Sequence, residues 1–326
     1  MNEEVICLRP QADFIRVGVS VPENLTVTYR APDDTELPSL IKTARAMVIP
    51  AVGPKLAPSL FEGTTLELIQ VTGAGVDRLD RSTIEKIGVP VANVAGGSNG
   101  AMAEYATASA ASLLRRLSWS NSEIQAGNYV AFRAKLLADN VGGLEGLVVG
   151  IVGLGIVGMA VAEAFHRQGC KIVYYDPNPP DADRLTAISA EPLELNELLS
   201  RADIVTLHVP LIPATNGLIG EAQLAIMKSG AVLIQASRGG IVDESALAHA
   251  IQSGHLGGAA VDVYSSEPPT PDNPLLKLSG EAAQRVLLTP HIAGVTRQSA
   301  AFLFRSAWEN VERVLIELQP PQSRVY

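Results

Sequence analysis

The chain has 326 residues, of which 47% are hydrophobic and 18% charged, so a disordered chain is excluded and one large or two medium globular domains are expected. Its formal net charge is −9, and no basic cluster is longer than Arg115-Arg116. Nucleic acid is therefore not an expected partner, because phosphate binding requires a basic face. Two isolated cysteines predict neither a disulfide framework nor a metal site.

The first 95 or so residues predict a parallel α/β sheet. Short apolar runs alternate with segments of helical length. The runs are "EVICLR", "LTVTYR", "RAMVIP", "LELIQVTG" and "VPVANVAGG". The N-terminus, "MNEEVICLRP", is acidic and lacks the apolar stretch of a secretory signal, so we expect a cytoplasmic protein.

Further along, an alanine-rich stretch predicts one helix over residues 99–119, after a Gly-Gly-Ser that can cap it. A second series of βα units extends from Leu147 to about His291. The uncharged run within it is too short and too rich in glycine to span a membrane. The last segment has apolar residues at helical spacing and ends before Pro320-Pro321. Two α/β domains joined near residues 98 and 296 account for this order.

The segment "LVVGIVGLGIVGMAVAEAFHRQGCKIVYYD", residues 147–176, predicts a dinucleotide site. A strand leads into a glycine-rich turn and an amphipathic helix, and a second strand ends on an acid. Gly153 permits the tight turn, Gly155 lets the backbone approach a pyrophosphate, and Gly158 lets the helix lie close to its strand. The helix N-terminus offers unpaired N–H groups to the phosphates.

Asp176 lies at the usual spacing for a carboxylate that accepts hydrogen bonds from the ribose hydroxyls. A carboxylate repels a 2′-phosphate, and the following Pro177-Asn178-Pro179-Pro180 contains no arginine to bind one, so NAD(H) is predicted over NADP(H). An NADP(H) enzyme stays an alternative. A methyltransferase, which uses a similar turn, would not explain the residues that follow.

Three later apolar strands are each followed by residues suited to catalysis. Arg238 follows "AVLIQAS", Asp262 and Glu267 lie in "VDVYSSEPP", and His291 lies in "TPHIAG". Ligands of open α/β sheets bind outside the carboxyl ends of the strands, so these side chains are expected near the dinucleotide. An arginine can bind a carboxylate and polarise the neighbouring carbonyl. A histidine oriented by a glutamate, which also favours its protonated form, can donate a proton to the developing alkoxide.

The chain resembles the D-isomer-specific 2-hydroxyacid dehydrogenase family over nearly its whole length. The resemblance is carried, in order, by "VTGAGVDRLD", "NVAGGSNGAMAE", "GIVGLGIVG", "YYDP", "LHVPLIPATNGLI", "ASRGGIVDESAL", "VDVYSSEPP" and "TPHIAG". It implies a Rossmann-type NAD-binding domain at residues 99–296. It also implies a flavodoxin-like substrate domain made of residues 1–98 and 297–326, both domains having parallel sheets. Gln235 departs from the family's "INxxRG" motif, where asparagine is frequent.

The resemblance also implies residue roles. Arg238, Glu267 and His291 would be catalytic, with Arg238 and His291 contacting substrate. Backbone amides near Gly75 and Val76 would bind the substrate carboxylate. The implied cofactor contacts are Ile156 and Val157 at the pyrophosphate, His208 and Pro210 at the adenosine, Asp262 at the nicotinamide carboxamide, and Ala236, Ser237 and Gly294. A homodimer through residues 99–145 is implied as well.

The predicted activity is NAD(H)-dependent interconversion of a small 2-oxo acid and the D-2-hydroxy acid, as in glyoxylate or hydroxypyruvate reductases. A phosphoglycerate dehydrogenase-like substrate is the less favoured alternative, because the loop "IPAVGPKLAP" has Lys55 as its only cation and the chain leaves no room for a regulatory domain. An NAD-sensing corepressor-like binding protein on the same fold is a second alternative.

Overall fold

The computed structural model describes residues 2–180 and 182–326. The described chain divides into two compact units. Unit 1 comprises residues up to Ser98 together with Val295–Tyr326, and unit 2 comprises Asn99–Gly294. The chain returns to unit 1 at Val295, two residues before the boundary predicted at residue 297. Thr296 is the N-cap of the last helix, and its hydroxyl accepts from the backbone N–H of Ser299, so both residues belong with that helix.

Unit 1 is built on a parallel five-stranded sheet, and each of the five apolar runs predicted as strands forms one. The strands and helices of its first segment are β1 (Glu3–Cys7), α1 (Gln11–Arg16), β2 (Leu25–Tyr29), α2 (Leu37–Leu40), β3 (Ala46–Ile49), β4 (Leu68–Val71), α3 (Arg81–Ile87) and β5 (Val91–Ala92). The strand order is β2-β1-β3-β4-β5. This is the flavodoxin-like order, which confirms the predicted fold.

Unit 2 contains a parallel seven-stranded sheet. Its elements are α4 (Asn99–Leu114), α5 (Leu117–Gln125), α6 (Tyr129–Ala138), β6 (Val148–Val152), α7 (Ile156–Arg167), β7 (Lys171–Tyr175), α8 (Ala182–Ala187), β8 (Glu191–Pro192), α9 (Leu195–Arg201), β9 (Ile204–Leu207), α10 (Glu221–Ile226), β10 (Val232–Gln235), α11 (Glu244–Gln252), β11 (Gly258–Val261), α12 (Gly280–Ala283) and β12 (Val286–Leu288). The strand order is β12-β11-β10-β9-β6-β7-β8. The order reverses between β6 and β9, the point where Rossmann folds bind ligands.

The chain returns to unit 1 with α13 (Arg297–Leu315), whose apolar face contributes the largest buried side chain of that unit, Trp308. The Phe14 ring lies 5.2 Å from the Trp308 ring and 4.8 Å from the Phe304 ring, measured between centroids. The helical spacing predicted for this segment is therefore confirmed: it buries Phe304 and Trp308, whereas Phe302 is 51% exposed.

The single helix predicted over residues 99–119 is wrong. Arg116 adopts a left-handed conformation with φ 52° between the end of α4 and the start of α5, so the two helices are separate. That conformation costs about 1–2 kcal/mol for a residue with a Cβ. An ion pair between the Arg116 guanidinium and Asp139 offsets part of this cost, and Arg116 also lies over the Trp119 ring. Alanine-rich composition predicted the helix but not this break.

Each unit contains one buried free cysteine, Cys7 in β1 and Cys170 just before β7. Burial raises the pKa of the Cys7 thiol to about 12 and that of the Cys170 thiol to about 11. Among the described residues, no cluster of three or more His, Cys, Asp or Glu side chains could hold a metal ion. No helix in the described part of the chain is long and apolar enough to cross a bilayer.

Candidate active site

The glycine-rich turn between β6 and α7 has three glycines with different surroundings. Gly153 has φ 90°, and a Cβ there would lie 2.7 Å from the backbone oxygen of His208. A Cβ at Gly158 would lie 2.0 Å from the backbone oxygen of Gly153. A Cβ at Gly155 would meet no protein atom within 4 Å. Two of these glycines are therefore required by the fold, whereas Gly155 borders open space.

This open space suits a dinucleotide pyrophosphate. Gly155 is the N-cap of α7, so Ile156 and Val157 are the first two helical residues and their N–H groups have no partner within the helix. Ile156 is 58% exposed, as expected for a residue beside a ligand path. The helix N-terminus adds a partial positive charge. The residues present therefore fit NAD(H) at the predicted position.

The different surroundings of these glycines give a first prediction. Gly155→Ala should leave the free energy of unfolding nearly unchanged and sharply weaken NADH binding, because the added methyl group occupies space that the pyrophosphate needs. Gly158→Ala should destabilise the fold by about 1–3 kcal/mol, because its methyl group overlaps the Gly153 carbonyl. Urea unfolding and NADH fluorescence titration of both variants distinguish the two effects. Equal destabilisation by both substitutions would contradict the assignment.

Asp176 follows β7 directly and contacts the glycine-rich turn. Its Oδ2 accepts from the backbone N–H of Leu154 at 2.6 Å, and its Oδ1 accepts from the backbone N–H of Asn178 at 2.7 Å. A carboxylate can accept further hydrogen bonds beyond these two. Asp176 therefore lies where a ribose-binding acid is expected, and it also fixes the turn.

A second prediction concerns cofactor choice. Asp176→Ala should weaken NADH binding by about 10- to 100-fold, because hydrogen bonds to a charged group are lost. NADPH binding should weaken less or improve, because the negative charge that repels the 2′-phosphate is removed. Titration of both cofactors measures the ratio, and Asp183→Ala, an exposed carboxylate in α8, is the control. An unchanged ratio would remove Asp176 from cofactor selection.

His208 follows β9 and lies against the glycine-rich turn. Its Nε2 is 2.9 Å from the Thr206 hydroxyl, and its Nδ1 is a buried atom without a hydrogen-bond partner. Burial lowers the pKa of His208 to about 4, so the ring is neutral near pH 7. Pro210, two residues on, is exposed. A neutral ring with an unpaired nitrogen is compatible with the predicted adenosine pocket, which stays a prediction.

The lowered pKa of His208 predicts a pH effect on stability. Between the unfolded pKa near 6.5 and the folded value near 4, the unfolded chain binds the additional proton, so stability falls as the pH falls. Titration of His208 should lower the free energy of unfolding by roughly 2 kcal/mol as the pH falls from 7 to 5. His208→Asn lacks this contribution, so the wild type should lose stability relative to the variant over that range. Urea unfolding at both pH values tests it, and a constant difference would contradict it.

His291 and Glu267 form a direct pair. His291 Nδ1 lies 2.8 Å from Glu267 Oε2, and the other carboxylate oxygen accepts from the backbone N–H of Tyr264 at 3.1 Å. Because a carboxylate accepts, Nδ1 carries the proton and Nε2 is left for another partner. His291 has φ 55°, an uncommon conformation for a residue with a Cβ, so the loop must hold it there.

Arg238 lies after β10, half-buried, in a loop held by Gln235. The Gln235 amide donates to the Arg238 carbonyl at 2.9 Å, and its oxygen accepts from the Ser237 hydroxyl at 2.7 Å. The Arg238 guanidinium donates to the Ser237 carbonyl at 2.7 Å. A Cβ at Gly239 would lie 1.8 Å from the Tyr264 backbone oxygen, so the loops after β10 and β11 are in contact. Gln235 thus has a structural role, and Ala236 is buried beside it.

Asp262, after β11, is only 1% exposed. Its Oδ1 accepts from the Thr289 hydroxyl at 2.5 Å and from the backbone N–H of Ile292 at 2.8 Å, and its Oδ2 accepts from that of Ala293 at 2.7 Å. The resemblance implied a contact with the nicotinamide carboxamide, which stays a prediction. The observed bonds join Asp262 to the loop that carries His291, a role that the sequence did not reveal.

In unit 1, the turn after β4 carries the predicted substrate-binding amides. Among the described residues, the backbone N–H groups of Gly75 and Val76 donate to no hydrogen bond, and both residues are half-buried. Free, adjacent amides of this kind can bind an anion.

Arg78, in the same turn, is a residue that the sequence analysis missed. Its guanidinium donates to the backbone oxygens of Pro54 at 2.8 Å and Pro50 at 3.1 Å, so it holds the loop after β3. Desolvation, and secondarily Arg9, lowers its pKa. The loop that contains Lys55 therefore contacts a second cation, the Arg78 guanidinium, which the sequence of the loop does not show.

Unit 2 thus contains Arg238, Glu267, His291 and the predicted cofactor residues, ending at Gly294, whereas Gly75 and Val76 belong to unit 1. The contacts among the loops after β10, β11 and β12 involve Thr289, Tyr264 and Tyr105, none of which was predicted. Thr289 could have been noticed, because it lies two residues before His291. Tyr105 gave no signal within its alanine-rich helix.

A Rossmann sheet with a glycine-rich turn and a carboxylate after its second strand defines a dinucleotide-binding protein. Residues 107–293 match the family model described as "D-isomer specific 2-hydroxyacid dehydrogenase, NAD binding domain". The chain therefore belongs to the D-isomer-specific 2-hydroxyacid dehydrogenase family, and the residues matched to the NAD-binding domain lie within unit 2.

Individual relatives and solved structures that resemble this chain are consistent with this family assignment. A D-3-phosphoglycerate dehydrogenase of Archaeoglobus fulgidus is 38% identical over 72% of this chain and 42% of its own length. One of Methanocaldococcus jannaschii is 33% identical over 86% of this chain and 51% of its own. The chain thus spans about half the length of these relatives. The holo form of D-mandelate dehydrogenase from Rhodotorula graminis is 27% identical with a TM-score of 0.84, covering 100% of this chain and 98% of that one.

Proposed function

We propose that this protein uses NAD(H) to interconvert a small 2-oxo acid and the corresponding D-2-hydroxy acid. The observation that carries the proposal is the His291–Glu267 pair, with Nδ1 and Oε2 2.8 Å apart, in a loop next to a Rossmann sheet. Arg238 lies after β10, a strand that pairs with β11, which Glu267 follows. An oriented imidazole and a guanidinium at neighbouring strand ends suit reduction of a ketone beside a carboxylate.

In the reduction direction the glycine-rich turn and Asp176 would hold NADH, which would supply the hydride for the carbonyl carbon. Protonated on both ring nitrogens, His291 donates its Nε2 proton to the carbonyl oxygen and becomes neutral, while Glu267 accepts the hydrogen bond from Nδ1–H and keeps the ring in one orientation. Arg238 binds the substrate carboxylate and polarises the carbonyl. The backbone amides of Gly75 and Val76, in unit 1, stay predicted donors to an anionic group. In the reverse direction His291 accepts the hydroxyl proton at the same nitrogen.

A substrate panel with NADH tests the proposal. Glyoxylate, hydroxypyruvate and alkyl pyruvates represent small or apolar side chains, and phosphohydroxypyruvate represents the phosphoglycerate alternative. The loss of NADH absorbance should be measurable with at least one of them. The D-3-phosphoglycerate dehydrogenase relatives and the position of Arg78 favour including the phosphorylated compound. NADH binding without turnover on the whole panel would reject the enzyme and favour the corepressor-like alternative.

We also propose a homodimer through residues 99–145, in the cytoplasm. Five large apolar side chains of α5 and α6 are at least half exposed: Leu117, Ile124, Tyr129, Val130 and Leu137. Apolar groups clustered on one segment are typical of a protein interface. Light scattering after size-exclusion chromatography should give twice the mass of one chain. The double variant Val130→Glu, Leu137→Glu should have a lower measured mass. A monomeric wild type would reject the dimer.

A further inference from the structure

A chain of hydrogen bonds connects α4 with the loop of His291. The Tyr105 hydroxyl in α4 lies 2.8 Å from the Thr289 Oγ1, and Thr289 Oγ1 donates to Asp262 Oδ1 at 2.5 Å. Because Asp262 accepts the single hydroxyl proton of Thr289, Tyr105 must donate its own proton to Thr289. Burial raises the pKa of Tyr105, so its hydroxyl keeps that proton near neutral pH.

At its other end, this series of hydrogen bonds fixes the backbone around His291. Asp262 accepts from the backbone N–H groups of Ile292 and Ala293, and its own backbone oxygen accepts from the N–H of His291 at 2.9 Å. Three consecutive residues are thereby held by one buried residue. A left-handed conformation such as that of His291 costs about 1–2 kcal/mol, so these bonds maintain an otherwise unfavourable geometry.

A second tyrosine holds the same loop from the β11 side. The Tyr264 hydroxyl donates to the Thr289 carbonyl at 3.1 Å, and its backbone N–H donates to Glu267. Thr289 is therefore held at its hydroxyl by Tyr105 and at its carbonyl by Tyr264. Tyr105 lies near the start of unit 2 and Thr289 near its end, so their bond joins the two segments through which the chain enters and leaves that unit.

We propose that Tyr105, acting through Thr289 and Asp262, is a positioning residue that sets the His291 ring for proton transfer. The proposal rests on the proposed role of His291 as the proton donor. Tyr105 itself touches neither His291 nor Glu267 through any hydrogen bond that the structure shows for it, and its effect passes through the loop backbone. The competing explanation is that Tyr105 only fills space between α4 and the sheet.

Removing single hydroxyl groups separates these explanations. Tyr105→Phe keeps the ring and should lower kcat by about 3- to 10-fold, the loss expected for one buried hydrogen bond. Thr289→Val should lower kcat by about 10- to 100-fold, because it leaves the buried Tyr105 hydroxyl without its Thr289 partner and removes one of the three hydrogen bonds to the Asp262 carboxylate. NADH affinity should stay near the wild-type value in both. Thr289→Ser, which keeps the hydroxyl, should restore most of the kcat that Thr289→Val loses.

Two further comparisons complete the design. Tyr105→Phe combined with Thr289→Val should be no slower than Thr289→Val alone, because both act on one chain of bonds. Thr107→Val is the control in the same helix, since the Thr107 hydroxyl donates to the Ala103 carbonyl within α4. Wild-type kcat in Tyr105→Phe, or a Thr289→Ser variant as slow as Thr289→Val, would overturn the proposal.

Amide hydrogen exchange gives a readout that needs no substrate. Exchange at Ile292 and Ala293 should be faster in Tyr105→Phe and Thr289→Val than in the wild type, while exchange within β6 stays unchanged. Unchanged exchange at Ile292 and Ala293 would overturn the positioning role. If the wild type reduces no 2-oxo acid, the proposed function fails, whereas the exchange result still decides whether Tyr105 holds the loop.

Discussion

Replacement of His291 by asparagine is expected to lower kcat by about 10²- to 10⁴-fold, the contribution typical of a general acid. Asparagine tolerates the left-handed conformation that His291 adopts at φ 55°, so the loop should keep its shape. It has no ring nitrogen to deliver a proton. Since the glycine-rich turn is untouched, NADH affinity should be nearly unchanged. Steady-state kinetics with the best substrate of the panel and NADH titration measure both quantities.

His249→Asn is the matched control, because His249 is an exposed residue in α11 of the same unit. It should have wild-type kinetics. If His291→Asn retained wild-type kcat, the proton donor would have to be another group. If it lost NADH binding together with kcat, the effect would be on the loop and not on proton transfer.

Replacement of Arg238 by lysine should lower kcat/KM by about 10²- to 10³-fold despite the conserved charge, because an ammonium group cannot reproduce the planar two-point contact of a guanidinium with a carboxylate. Both kcat and KM should change, since the same group binds the carboxylate and polarises the carbonyl. The loop itself should persist, because Gln235 holds it through the backbone carbonyl of residue 238. Initial rates over a range of 2-oxo acid concentrations measure the effect.

Arg201→Lys is the control, since Arg201 forms a surface pair with Glu191 in the same unit. It should not alter kcat/KM. A tenfold or smaller loss in Arg238→Lys would indicate that charge alone matters at this position. Full activity would remove Arg238 from the substrate site.

The features that could be predicted from the sequence are those that depend on the local spacing of residues. The strands of both sheets alternate with helix-length segments, and the glycines and Asp176 lie within one 30-residue segment, so β6, α7 and β7 could be located from their pattern. The pairing of Glu267 with His291 was predicted from the chemistry of the residues that follow the strands, and His291 Nδ1 lies 2.8 Å from Glu267 Oε2. The other roles of the predicted site residues stay predictions.

The contacts that escaped prediction join residues far apart in the sequence. Tyr105 bonds to a threonine 184 positions away, and no local pattern marks either residue for that contact. Arg78 was overlooked because its partners, the Pro50 and Pro54 carbonyls, are backbone groups that any sequence would offer. The helix break at Arg116 is accompanied by an ion pair with Asp139, a tertiary contact that intrinsic helix propensity does not include.

The two buried cysteines allow the unfolding of each unit to be detected separately. Cys7 belongs to unit 1 and Cys170 to unit 2, and both thiols are kept protonated by burial. Only the thiolate is alkylated, so labelling by iodoacetamide near neutral pH requires exposure of the respective β-strand region. Mass analysis of the two labelled peptides would therefore time the unfolding of the two units separately, without any substitution in the chain.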